Sequence, residues 1–307
     1  MKFELTILGS NSATPAFGRN QSSQLLNVNE KYYLIDCGEG TQLQLNRFGV
    51  KKNKINYIFI SHLHGDHYLG IVGLLSSMHL SGRTDDLHLY APPELKEIID
   101  LQFLYSQTLL RFPLHFHATD PIGEQIIYEN DHLIVRSFPL DHRIPCTGFR
   151  FDERQPLPRI NKDMLEALSI PPENLPLIKQ GQSFQASDGT IYRAEELTLP
   201  PKASRSYAYC SDTKYSEQYF ASIQGVDLLY HEATFLNDMA DRAAETYHTT
   251  ALQAAEIAKA VSARRLLIGH FSARYRSLAP LLEESRSVFS DTILASEGAK
   301  HSVEYKD

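Results

Sequence analysis

The sequence predicts a layered α/β sandwich, and two observations predict it. Strand-length segments come first and in close pairs, and later strands alternate with helical stretches. Hairpins followed by strand–helix alternation describe sheets covered by helices.

Taken in order, Phe3 to Leu8 alternates and stops at Gly9-Ser10-Asn11-Ser12, a strand and its turn. Gln24 to Val28 and Lys31 to Ile35 flank Asn29-Glu30, the layout of a hairpin. Cys37-Gly38-Glu39-Gly40 then opens a helical stretch that ends near Gly49. Ile55 to Ile60 is an apolar run of strand length, as expected of a strand buried on both faces. Leu87 to Tyr90, His132 to Phe138, Tyr207 to Cys210 and Val226 to Tyr230 also read as strands. Thr249 to Ala260 reads as a helix capped by Thr249 or Thr250, and Arg265 to Ile268 as a strand ending at Gly269-His270.

With 307 residues the chain can bury a substantial core, and it reads as one domain, 1–307. Residues 152–202 stand apart: rich in Pro, Gln and Ser, they read as an arm or long-loop insertion. No apolar run reaches the ~18 residues of a membrane span, and the N-terminus lacks the pattern of a signal peptide. A cytoplasmic location is therefore expected. Cys37, Cys146 and Cys210 form no close pair, so neither a disulfide framework nor a thiolate metal site is indicated. The net charge of −7 argues against a protein that coats nucleic acid nonspecifically. It does not exclude a nuclease, because bound cations stand outside that count.

The chemistry is concentrated in His62-Leu63-His64-Gly65-Asp66-His67, directly behind the Ile55–Ile60 strand. On an extended chain His62 and His64 point the same way and can reach one ion. Gly65 is expected to permit a turn that redirects Asp66 and His67 toward a second ion. Imidazole and carboxylate suit zinc, with manganese or iron as alternatives. These four side chains cannot complete two coordination shells. His142, Asp212 and His270 each follow an apolar strand and are the candidates for the remainder. His115 and His117 alternate, as on a solvent-facing strand, while His79, His88, His132 and His301 read as surface or packing residues.

The cluster has the His-x-His-x-Asp-His form of the metallo-β-lactamase superfamily, and further motifs resemble the ribonuclease Z family within it. These are Leu8 to Pro15 followed by Arg19-Asn20-Gln21-Ser22-Ser23, Asp36 to Gln42, Ser61 to His67, Ser211-Asp212-Thr213, His231 to Phe235, His248-Thr249-Thr250 and Gly269 to Tyr275. The resemblance runs from residue 5 to about 276. It implies a four-layer αββα sandwich with a protruding arm, two zinc ions per subunit, and a homodimer. It also implies an endonuclease that removes the 3′ trailer from precursor tRNA and leaves a 3′-hydroxyl. Carried over, His62, His64 and His142 hold one ion, Asp66, His67 and His270 the other, and Asp212 bridges them. Asp66 orients the nucleophile or accepts its proton. His248, held by Glu232, protonates the leaving oxygen or stabilises the transition state. Arg274 and Arg276 are candidates for phosphate contact, and Asp36 and Glu39 for orienting ligand histidines.

The arm departs from the family pattern. Leu168 to Gly181 carries Glu173-Asn174 where the family has Gly-Pro, and residues 152–202 hold six basic and eight acidic side chains. That balance grips phosphate poorly. It leaves open a related phosphodiesterase acting on small molecules, such as cyclic nucleotides or aryl phosphodiesters. A noncatalytic scaffold is a third reading, opposed by the complete ligand set.

Overall fold

The computed structural model describes residues 2–305. The first half contains β1 (Phe3–Gly9), β2 (Ser23–Val28), β3 (Lys31–Ile35), α1 (Thr41–Arg47), β4 (Ile55–Phe59), α2 (Gly65–Tyr68), α3 (Ile71–Leu80), β5 (Leu87–Ala91), α4 (Glu94–Tyr105) and β6 (Leu114–Ala118). Then come β7 (Gln125–Glu129), β8 (Leu133–Leu140) and β9 (Cys146–Glu153). A region of short elements follows: β10 (Arg159–Ile160), α5 (Lys162–Ala167), α6 (Leu175–Lys179), β11 (Phe184–Gln185), β12 (Ile191–Tyr192), α7 (Ala194–Leu197) and β13 (Thr198–Leu199). The last third runs β14 (Ser206–Cys210), α8 (Phe220–Ile223), β15 (Leu228–Glu232), α9 (Ala240–Glu245), α10 (Ala251–Ala260), β16 (Arg265–Gly269), α11 (Ala279–Arg286), β17 (Thr292–Leu294) and β18 (Lys300–Ser302).

Two seven-stranded sheets result, ordered β18-β1-β2-β3-β4-β5-β6 and β17-β16-β15-β14-β9-β8-β7. The hairpin at Asn29-Glu30 has positive φ at both residues (51° and 63°), the two-residue turn whose twist suits the flanking strands. Between the sheets lies an aromatic core in which Tyr33, Phe59 and Tyr90 of one sheet face Phe149, Phe151 and Tyr207 of the other. The outer face of the first sheet packs Leu34, Ile58 and Leu89 on Leu45, Leu74 and Ile99 of α1, α3 and α4. The outer face of the second packs Ala208, Leu229 and Ile268 on α10 and Leu281 of α11. Burial on both faces explains why β1 is almost wholly buried although its sequence alternates. The layers are thus αββα, as the resemblance implied.

The site follows from strand direction. β3, β4, β5 and β6 are mutually parallel, as are β14, β15, β16 and β17. Their carboxyl ends deliver Asp36, His62, Asp212, Glu232 and His270, whose positions follow or close β3, β4, β14, β15 and β16. Ligands gathering outside the carboxyl ends of parallel strands is the expected placement in α/β sheets.

Between β9 and β14 the chain builds a small core of its own from Ile170, Ile178, Phe184, Ala194 and Leu197. Its exit and return are joined by the buried pair Glu153–Arg205, with Nη2–Oε1 at 2.7 Å and Nε–Oε2 at 2.9 Å. Residues Pro172–Asn174 form a 3-10 turn leading into α6, so Glu173-Asn174 sits in an ordered helical connection. No helix among the described residues is long and apolar enough to cross a membrane.

Candidate metal centre

Beyond β4 the backbone is extended at His64, and Nε2 of His62 lies 3.1 Å from Nδ1 of His64. His142, in the loop between β8 and β9, places its Nε2 3.1 Å from the same His64 nitrogen. Oδ2 of Asp212 lies 3.6 Å from His62 Nε2 and 3.8 Å from His142 Nε2.

At Gly65 the chain switches from extended backbone to helix, and one turn of α2 carries Asp66 and His67 to a second cluster. The glycine is not what the turn requires: its φ is not positive, and an added Cβ would meet only the flexible end of Leu69. The change of backbone state at His64–Gly65 is the cause. His67 Nε2 is 3.3 Å from His270 Nε2, which is 3.3 Å from Asp66 Oδ2. Asp212 Oδ1 is 3.3 Å from His67 and 3.1 Å from His270. Asp212 therefore presents one oxygen to each cluster, and the seven side chains form two groups sharing that residue.

This donor set fits a pair of divalent cations. Asp212 Oδ1 is buried and makes no hydrogen bond, although two ring nitrogens stand within 3.3 Å; their approach lacks hydrogen-bond alignment. Nitrogen facing nitrogen, with a carboxylate between, leaves donors converging on points that a cation satisfies.

The electrostatics divide the two clusters. Burial, reinforced by neighbouring imidazoles, lowers the pKa of His62, and His64 is brought down to about 4 in the same way. Burial likewise takes His142 down to about 4, against the pull of Asp212. All three are neutral at pH 7, the state in which imidazole ligates. His67 is different: burial lowers its pKa, but Asp212, Asp66 and Asp36 together outweigh burial and raise it well above the ordinary value. Burial would raise the Asp66 pKa, yet His67 and His270 outweigh it and hold Asp66 ionised.

A ring of buried groups fixes the ligands. Asp36, at positive φ (54°) after β3, accepts from Ser61 N (2.8 Å), Ser61 Oγ (2.9 Å) and Tyr209 OH (2.6 Å). Its Oδ2 also lies 2.7 Å from Nδ1 of His67, fixing which ring nitrogen is free to ligate. Nδ1 of His142 donates to the Tyr247 carbonyl at 3.0 Å with the same effect. The Thr234 hydroxyl donates to Glu232 Oε2 at 2.6 Å and stands 2.9 Å from His270 Nδ1. Glu232 Oε1 is 2.9 Å from His248 Nδ1, and burial of the pair is outweighed by their mutual attraction. Of the two acidic residues expected to orient ligands, Asp36 does so; Glu39 is exposed, and it is its backbone N–H that is held, by Gln21.

A cleft of about 550 Å³ opens over the clusters, lined by His64, Asp66, Asp212, His248 and His270. Arg143, Arg242 and Arg274 also line it, so a cationic rim surrounds the ligands in a chain of net charge −7. Arg276 instead stacks over Phe17 at 5.9 Å. Arg143 and Arg242 carry no local sequence signal. Neither does Tyr209, whose partner Asp36 lies 173 residues away; Ser61 and Thr234 fall within motifs named above, but those motifs do not mark them as supports of Asp36 and His270.

An αββα sandwich with paired His/Asp clusters at the carboxyl ends of its strands defines a metal-dependent hydrolase of the metallo-β-lactamase fold. Among curated proteins the chain is 50% identical to a ribonuclease Z of Cytophaga hutchinsonii, over 99% of this chain and 97% of that protein. It is 44% identical to a ribonuclease Z of Bacteroides thetaiotaomicron, over 96% and 94%. The chain belongs to the ribonuclease Z family. The short form of human tRNase Z superposes with a TM-score of 0.71 at 25% identity, over 98% of this chain and 99% of that one. The metallo-β-lactamase fold protein YhfI of Bacillus subtilis has a TM-score of 0.70 at 20% identity, over 98% and 100%, a likeness of fold. A family model described as anti-Pycsar protein Apyc1 matches residues 3–110.

Proposed function

We propose that this chain is the endonuclease that cuts the 3′ trailer from precursor tRNA, using two zinc ions, and leaves a 3′-hydroxyl. The observation that carries this is the pair of clusters sharing Asp212 beneath a cleft rimmed by Arg143, Arg242 and Arg274. Full-length identity to ribonuclease Z proteins supports tRNA over a small phosphodiester.

In this reading His62, His64 and His142 hold one ion, Asp66, His67 and His270 the other, and Asp212 both. Bound there, two such ions supply a hydroxide nucleophile at neutral pH and offset charge growing on the phosphoryl oxygens. The remaining work belongs to the side chains. Asp66 orients the attacking oxygen, and the three arginines hold the scissile phosphate and its neighbours. His248, protonated and pinned through Nδ1 by Glu232, has Nε2 left to give a proton to the departing 3′-oxygen. Residues 152–202 form an arm of the single domain 1–307. The protein works in the cytoplasm, where its substrate is made, and as a homodimer. Exposed Leu104, Tyr105 and Leu109 on and after α4 support the dimer (69%, 81% and 88% exposed).

The decisive assay offers precursor tRNA and a chromogenic phosphodiester to one zinc-assayed sample. Cleavage after the discriminator base, weakening steeply with salt, supports the proposal. Cleavage of the small ester alone moves the assignment to a small-molecule phosphodiesterase.

A further inference from the structure

We propose a second, peripheral site for a divalent transition ion at the open edge of the sandwich, formed by Asp86, His88 and His115. It shares no residue with the clusters described above. One ligating atom from each of the three lies within 4.8 Å of the others.

The site is a product of parallel register. Pairing sets Tyr57 of β4 beside His88 of β5, and His88 beside His115 of β6. The three rings stack in a row, with centroids 5.4 and 4.8 Å apart and planes within 20°. One step along, Phe59, Tyr90 and His117 form a second row, with centroids 4.8 and 4.4 Å apart. Both rows begin in the aromatic core between the sheets and end in imidazoles on the edge strand β6. A core that only needed a polar boundary would be served by the rings alone. Here the outermost ring also meets a carboxylate: His115 Nε2 is 3.3 Å from Asp86 Oδ2.

The donors are held in place. His88 Nδ1 lies 3.0 Å from His117 Nε2, so Nε2 of His88 is the nitrogen left for an ion. Asp86 is positioned by its backbone, whose carbonyl accepts from the buried Arg83 guanidinium at 2.6 Å. The same guanidinium donates to the carbonyls of Asp85 (2.8 Å), Asn53 (2.9 Å) and Ile55 (2.9 Å), so the turn before β5 is braced against movement. Two imidazoles and one carboxylate suit zinc, cobalt, nickel or copper better than magnesium or calcium. The side chains of His115 and Asp86 are 45% and 60% exposed, which leaves room for water to complete the shell. An ion there ties the edge strand β6 to the entry of β5.

The test uses untagged full-length protein with its catalytic centre already loaded with zinc. Wild type, His115→Ala and Asp86→Ala are dialysed against low-micromolar zinc, and metal content is measured per chain. Wild type is expected to hold one equivalent more than either variant, while all three cleave substrate equally. Equal metal content in wild type and both variants overturns the proposal. A second measurement needs no variant. Histidine ring nitrogen resonances of the loaded wild type are followed as zinc is added, and His88 and His115 should shift while His79 and His132 do not. Ring signals that stay fixed at saturating zinc overturn it equally.

Discussion

Nδ1 of His248 lies 2.9 Å from Oε1 of the buried Glu232, while the ring lines the cleft above Asp66 and Asp212. Glu232 is itself held by Thr213 N at 3.0 Å and by Thr234 Oγ1 at 2.6 Å. The hydrogen bonds that run from Glu232 through Thr234 to the ligand His270 do not pass through His248. Replacing His248 by Ala should therefore leave metal content unchanged and lower the rate of the chemical step by ~100-fold or more. The loss should fall on kcat in single-turnover cleavage and leave KM within a few-fold. A metal-replete variant with near-full activity ends the assignment.

The same pair sets a pH dependence. Burial pushes the His248 pKa down, but the Glu232 charge and hydrogen bond outweigh it and hold the ring at about 9. A proton donor acts only while protonated, so activity should persist below that value and fall as pH rises through about 9. Glu232→Gln removes the opposing charge and keeps the burial. The alkaline limb of its single-turnover rate should move to lower pH, and an unmoved limb shows that another group donates.

Asp36 is fully buried, and its carboxylate is held by His67, Ser61 and Tyr209. Asp36→Asn keeps the shape but loses the acceptor that fixes the His67 ring. Affinity for the ion held by His67 should fall by roughly 10- to 100-fold. Competition with a chelator reads this directly, and added zinc should restore part of the activity.

How much of this was legible in the sequence depends on how far apart the cooperating residues lie. The His62–His67 cluster is local, and His142, Asp212 and His270 each follow a recognisable apolar strand. Asp36 is legible through the Asp36 to Gln42 motif that resembles the family's. Tyr209 carries no such signal, and the motif around Thr234 does not mark its supporting role, because common residue types become supports only when two sheets bring them to a ligand. His88 and His115 read as unrelated for the same reason: they are neighbours only through the parallel pairing of β5 and β6. Gly65 reads in the sequence as the residue that permits a turn, yet the helix start supplies that turn without positive φ at the glycine.

The cationic rim predicts a graded response to salt. Arg143, Arg242 and Arg274 line the cleft, and Arg274 is steadied over the Phe235 ring at 4.9 Å. Each arginine that meets a phosphate should contribute about one unit to the slope of log affinity against log salt. Single Ala variants should weaken precursor binding at low salt and converge with wild type at high salt. A variant that shifts binding equally at all salt concentrations does not contact phosphate.

The two clusters should also part company in acid. His64 and His142 lie at about 4 and His62 is likewise lowered, chiefly by burial, so protons do not compete for the first cluster until strongly acidic pH. His67 is raised well above its ordinary value because three carboxylates outweigh its burial. Before it can ligate it must lose a proton, and below its pKa each unit of pH lowers apparent affinity by about tenfold. The ion between Asp66, His67 and His270 should therefore leave first as pH falls from neutrality, and the ion on His62, His64 and His142 should persist toward pH 4. Metal content after dialysis at stepped pH should drop in two stages, with catalysis lost at the first. Simultaneous release of both ions contradicts the division, because Asp212 would then be governing the two sites as one.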